Sequence, residues 1–106
     1  MISGFQHFNL NGIDMNNLGS ELVKEFKQDN RDRDIEFILH DLAEIKADRP
    51  MIRQVLYNIF SNAVKYSKTR KKTVIECGCL QREKDIVFFV KDNGATFYFS
   101  IPKESV

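Results

Sequence analysis

One run of apolar residues in the middle of this chain does most to limit what it can fold into. Ile52, Val55, Leu56, Ile59, Phe60, Ala63 and Val64 fall at offsets 0, 3, 4, 7, 8, 11 and 12. That spacing puts them on one broad face of a helix and demands a second layer to bury them against. Pro50 suits the first turn, where its missing amide hydrogen costs nothing, and Asp48 stands nearby as a candidate cap. An earlier helix is predicted from Asp14 to about Gln28. There Leu18, Leu22 and Phe26 recur every four residues, and Asp14, Asn16 and Asn17 offer N-cap oxygens.

Strand patterns surround these helices. After the polar connection from Asp29 to Asp34, Ile35, Phe37 and Leu39 alternate with Glu36, Ile38 and His40, as a mostly buried strand does, and short turns lead on to Asp48. Further strands are predicted near Thr73 to Leu80, Asp85 to Lys91 and Ala95 to Ile101, the first two separated by Gln81-Arg82-Glu83-Lys84. Phe5 to Leu10, closed by Asn11-Gly12, reads as an edge strand running into a turn. The run Lys68-Thr69-Arg70-Lys71-Lys72 reads either as a solvated loop or as a phosphate contact. Two amphipathic helices packed on a mixed sheet of about five strands make a two-layer α/β sandwich. A length of 106 residues suits one such domain, spanning 1–106.

Composition excludes more than it selects. Apolar residues at 42% and charged residues at 29% are an ordinary globular balance, and a net charge of +1 gives no field that would draw the chain to nucleic acid or an anionic membrane. No apolar run approaches the ~20 residues of a membrane span, and no signal-peptide order opens the chain, so a soluble, cytoplasmic domain is expected. Cys77 and Cys79, two apart, project to one face of a strand as reduced packing residues. His7 and His40 are too far apart for a finger-like zinc site, and a structural or surface role is expected for each.

Chemistry concentrates beside the apolar face of the central helix. Asn58, Asn62 and Lys65 lie at offsets 0, 4 and 7 and form a polar stripe along its border, where a groove opens in a layered fold. Two short amides and a lysine suit a magnesium ion shared with phosphate, because a neutral amide oxygen completes the metal shell without repelling phosphate. The same pattern also describes an ordinary amphipathic helix with polar flanks.

The stretch from Gln54 to Ser67, QVLYNIFSNAVKYS, resembles the asparagine box of bacterial sensor histidine kinases, and the similarity extends over roughly residues 8 to 94. The resemblance implies a Bergerat-type ATP-binding (HATPase) catalytic domain. In it Asn62 would be the magnesium ligand, Asn58 a polar neighbour at the metal and the attacking group, Lys65 a phosphate contact and Tyr66 a wall beside the nucleotide. Where the wider ATPase superfamily carries a water-activating Glu, this chain has Asn58, and an amide is no general base at neutral pH.

Asp92-Asn93-Gly94 resembles the start of the first glycine box, whose Asp would accept from the adenine amine and whose Gly94 would border the nucleotide. Asn-Gly between two strands is equally a hairpin signal, with Asp92 favouring the turn, and both roles stay open. Ala95 to Pro102 is similar to the family's last strand. The resemblance therefore implies a deletion between Gly94 and Ala95 that removes the ATP lid, the second glycine box, the third helix and one strand. Expected partners are ATP or ADP with Mg2+, a dimerisation domain carrying the phosphoacceptor histidine, and a downstream response regulator. Weak nucleotide binding and an exposed sheet surface, open to a homodimer, are expected from the deletion. A nucleotide-free interaction module on the same scaffold is the alternative.

Overall fold

The computed structural model describes residues 11–68, 71–92 and 94–103. In chain order the elements are β1 (Asn11–Ile13), α1 (Met15–Asp29), β2 (Asp34–Leu39), β3 (Ile45–Ala47), α2 (Arg49–Tyr66), β4 (Lys72–Gln81), β5 (Asp85–Lys91) and β6 (Thr96–Pro102). The α1 helix starts where Asp14 caps it, its carboxylate accepting from the Asn17 amide at 3.0 Å. Asn16 does different work. Its Nδ2 donates to the His40 carbonyl and its Oδ1 accepts from the Leu42 amide, which ties the chain leaving β2 to the first turn of α1. Asp48 is the N-cap residue of α2 but makes no side-chain cap bond, and Pro50 sits in the first turn.

Four strands form the main sheet in the order β2-β4-β5-β6, with β2 parallel to β4 and the other neighbours antiparallel. Both helices cover one face. Leu18, Leu22 and Phe26 of α1 and Ile52, Leu56, Phe60, Ala63 and Val64 of α2 are buried, and they meet Ile75, Cys77, Ile86, Phe88 and Val90 of the sheet. This is the expected mixed two-layer α/β sandwich. Because β2 is an edge strand, Ile35, Phe37 and Leu39 are half-buried rather than mostly buried.

The strand inventory differs from the sequence expectation in two places. Asn11-Gly12 is extended, not a turn: β1 pairs antiparallel with β3 through Asn11↔Ala47, Gly12↔Lys46 and Ile13↔Ile45. The short turns expected before Asp48 contain β3. The result is a four-stranded sheet plus a separate two-stranded one, instead of a single sheet of about five strands. A three-residue strand is too short for alternation to stand out from a turn, which is why both were missed. The edge strand expected at 5–10 lies outside the described residues.

One long-range clamp locks the helix layer to the sheet. From the connection after α1, Arg33 donates through Nη1 to the Val64 carbonyl at 2.9 Å and through Nη2 to the Ser67 carbonyl at 2.7 Å. The same guanidinium reaches the Ser67 hydroxyl and Thr73 Oγ1, so the carbonyls at the C-terminal end of α2 are satisfied by a residue of the opposite connection.

Candidate functional site

Side chains bordering the buried face of α2 are open to solvent. Asn58, Asn62 and Lys65 are exposed, while Phe60, Ala63 and Val64 between them are buried. The polar stripe expected from spacing is therefore a real surface feature. Among the described residues nothing hydrogen-bonds to the Asn58 or Asn62 amides, so their oxygens are available to a ligand. Tyr66, one turn beyond Asn62, is 68% exposed and lays its ring on Phe97 of β6, centroids 5.5 Å apart. That contact brings the C-terminal end of α2 against the β5–β6 hairpin, since Phe97 pairs with Val90 just before Asp92. Phe97 was legible only as a strand residue, because nothing in a period-two pattern says which helix side chain it will meet.

Asp92 is committed to its own turn. Its amide donates to the Ala95 carbonyl at 3.0 Å, and its Oδ1 accepts from the Gly94 and Ala95 amides at 2.8 and 2.7 Å. The hairpin role held open for Asp92 is thus present, and it uses one carboxylate oxygen. Gly94 spends its amide on that carboxylate and has no positive φ. Asn93 lies outside the described residues, as do Thr69 and Arg70 of the basic run, whose Lys68 and Lys71 are exposed.

Titratable groups with displaced pKa values sit elsewhere. On the outer face of the sheet the Glu76 carboxyl is held below its ordinary value, first by a hydrogen bond with His40 and then by Lys91. Asp85 is held low by its two bonds from Arg82 at the β4–β5 turn. Both are solvent-open ion pairs on the outer face of the sheet. His40 thus has a surface role, and His7 lies outside the described residues. No group of three or more metal-binding His, Cys, Asp or Glu side chains occurs among the described residues. A cation held at Asn62 would have to draw most of its ligands from phosphate and water. A groove of about 840 Å³ lies on the sheet face turned away from the helices, lined by Leu80, Val87, Phe89 and Tyr98 with Arg82 and Lys91 at its rim. Its walls are mainly apolar and the asparagine stripe is on the other side of the sheet, so the two are separate surfaces.

The cysteines are free, Cys77 buried and Cys79 half-buried, on the same face of β4. Burial pushes the Cys77 thiol up to about 12, with Cys79 adding to the effect. At pH 8 a maleimide reagent is expected to label Cys79 first. Cys77 should react about a hundredfold more slowly than a free thiol, its lost thiolate only partly offset by higher nucleophilicity. Peptide mass mapping over a time course checks this.

No family model matches the chain. Over 64 residues, 58% of its length, the chain is 39% identical to the adaptive-response sensory kinase SasA of Prochlorococcus marinus strain AS9601. Over 50 residues it is 36% identical to the methanogenesis regulatory histidine kinase FilI of Methanothrix harundinacea. The matched segments span 17% and 6% of those proteins. Among solved structures, the catalytic domain of histidine kinase ThkA superimposes with a TM-score of 0.66 at 24% identity, over 80% of this chain and 58% of that one. The Acinetobacter baumannii histidine kinase AdeS gives 0.67 at 21% identity, over 84% and 44%. In sequence this chain is similar to part of these kinases, and its fold is like that of the ThkA catalytic domain. The exposed Asn58, Asn62 and Lys65 lie in the segment that the sequence likened to the asparagine box. ThkA has also been solved in complex with the response regulator TrrA. No helix among the described residues is long and apolar enough to cross a membrane.

Proposed function

We propose that this chain is the ATP-binding scaffold of a sensor kinase's catalytic domain, reduced to an open half-site. The observation that carries this is the exposed stripe Asn58-Asn62-Lys65, which runs to Tyr66 and so to the Asp92 turn through the Tyr66–Phe97 contact. The Asn62 amide oxygen would hold Mg2+ together with phosphate oxygens, Lys65 would balance phosphate charge, and Asn58 would orient the terminal phosphate without acting as a base. Bound magnesium would supply charge neutralisation at the phosphates. The face of Tyr66 and the remaining Oδ2 of Asp92 would receive the base. In the whole protein, the γ-phosphate would go to a histidine on a separate dimerisation domain and onward to a response regulator, in the cytoplasm.

The reading also implies that binding is weak. β5 passes into β6 through the Asp92 to Ala95 turn, so no segment between them folds over the stripe. This fits loss of the lid and second glycine box between Gly94 and Ala95. Phosphates held there stay in water, where charge interactions are screened. Transfer by this chain alone should be slow or nil.

An amide NMR titration tests it. Saturable shifts from Asn58 to Tyr66 and at Asp92 and Gly94 are expected with Mg-ADP or Mg-ATP at about millimolar affinity, near −4 kcal/mol. Asn62→Ala should weaken the magnesium-dependent part about tenfold, or ~1.4 kcal/mol. Asp92→Asn keeps an acceptor for the turn but removes the charge, so a loss of base-dependent shifts in that variant separates an adenine role from a purely structural one. A folded spectrum with no shifts at several millimolar nucleotide would replace this reading with that of a nucleotide-free interaction module.

A further inference from the structure

Among the described residues the main sheet has two open edges, and they are built differently. The β2 edge carries Asp34 and Glu36, charges that discourage pairing with another strand. The β6 edge, Thr96-Phe97-Tyr98-Phe99-Ser100-Ile101-Pro102, has no charge and no bulge, and apart from its closing proline consists of β-branched, aromatic and serine residues. Among the described residues nothing pairs with its outer side.

The hydrogen-bond ladder says which groups that edge presents. Asp92 N–H bonds to Ala95 O at one end of the β5–β6 pairing and Lys103 N–H to Lys84 O at the other. Given the register from Asp85↔Pro102 to Lys91↔Thr96, antiparallel alternation turns the backbone groups of Phe97, Phe99 and Ile101 toward β5. Those of Thr96, Tyr98 and Ser100, and the Pro102 carbonyl, face outward. Pro102 thus lacks its N–H where β5 does not need one. On the helix side, Phe97, Phe99 and Ile101 remain only half-buried. On the other side, Tyr98 is 69% exposed and Leu80 61%.

We propose that β6 is a self-pairing edge, joining two copies of this chain through antiparallel β6–β6 pairing about a two-fold axis at Phe99. In that register Tyr98 and Ser100 of the two copies exchange N–H···O=C bonds in both directions, and Thr96 N–H meets the partner copy's last β6 carbonyl. The residues opposite one another are chemically matched: Phe99 faces its own copy, Phe97 faces Ile101, and exposed Tyr98 lies across from the small Ser100. No like charges meet, which is what a C2 interface requires of one patch used twice. The two four-stranded sheets become continuous, and the half-buried aromatic row on the helix side gains a second wall. The inference does not depend on nucleotide binding.

Sedimentation over a concentration series, with amide hydrogen exchange, tests it on the full chain. The weight-average mass is expected to approach twice that of the monomer between about 10 μM and about 1 mM. Tyr98 and Ser100 amides should slow at least about tenfold as the dimer forms. Ser100→Pro removes an outward N–H but no bond to β5, and Tyr98→Lys puts a charge on an exposed position. Both should be monomeric with native circular dichroism. Three results would overturn the proposal: a monomer at 1 mM, a dimer persisting in both folded variants, or protection of Tyr98 and Ser100 that does not change with concentration. The last would mean that the edge is paired within one chain.

Discussion

Replacing Phe60 with alanine is expected to remove about 3–5 kcal/mol of folding stability, a large share of the roughly 5–15 kcal/mol that holds a domain of this size together. The ring is fully buried in α2 and touches both neighbouring elements, with centroids 5.9 Å from Phe26 of α1 and 6.2 Å from Phe37 of β2. Cutting it to a methyl group leaves a cavity between two helices and a strand that are already fixed by other contacts. The walls can collapse only partly, so the lost transfer energy and the cavity cost add. Urea unfolding followed by circular dichroism checks this. The midpoint should fall with little change in slope if the native state is still reached, and an expanded, non-cooperative state would mean that the margin is exhausted. Phe60→Leu refills much of the space and should recover more than half of the loss.

The second large effect is expected at Arg33, where alanine should cost about 2–4 kcal/mol. Its guanidinium is the shared donor for the Val64 and Ser67 carbonyls, with Ser67 Oγ and Thr73 Oγ1 in reach. Ser67 and Thr73 are both fully buried. Removing the fork leaves the Val64 carbonyl with the Ser67 hydroxyl alone and the Ser67 carbonyl with only a long 3.5 Å bond from Thr73 Oγ1, in a place that water reaches poorly, and a poorly made buried hydrogen bond costs more than a well-made one contributes. Lysine should not restore the loss, because a single ammonium cannot span two carbonyls as a planar fork does. A denaturation series on Arg33→Ala, Arg33→Lys and Thr73→Val, with the Arg33→Ala/Thr73→Val double mutant, should give coupling of about 0.5 kcal/mol or more between the two sites. Additive losses would mean that Arg33 acts on the α2 carbonyls alone. Because Asn62 and Lys65 lie in the same last turns of α2, Arg33→Ala is also expected to broaden their amide signals before global unfolding.

Some of this molecule is legible in its sequence, and the reason is locality. The α2 face from Ile52 to Val64 and the α1 face of Leu18, Leu22 and Phe26 follow from the turn-to-turn spacing of a helix, and the Asp14 cap acts on an amide three residues away. The exposed stripe of Asn58, Asn62 and Lys65 follows from the same wheel, since whatever borders a buried face must reach its edge. The Asp92 turn is local as well, although which of two roles its carboxylate takes was not, because one acidic side chain beside Asn-Gly serves a hairpin or a ligand equally well.

Tertiary structure alone decided the rest. The β1–β3 pairing joins three-residue strands from opposite ends of the first half of the chain, and neither is long enough to carry a period. Arg33 looks like any charged loop residue until folding brings it to the end of a helix 31 positions further on. Tyr66 and Phe97 belong to separate patterns that say nothing about their meeting. That β6 ends the sheet among the described residues, with an uncharged edge facing outward, depends on strand order. Local spacing determines which face of an element is apolar; which element covers that face, and which edge is left open, depends on chain segments distant in sequence that come together only when the whole domain packs.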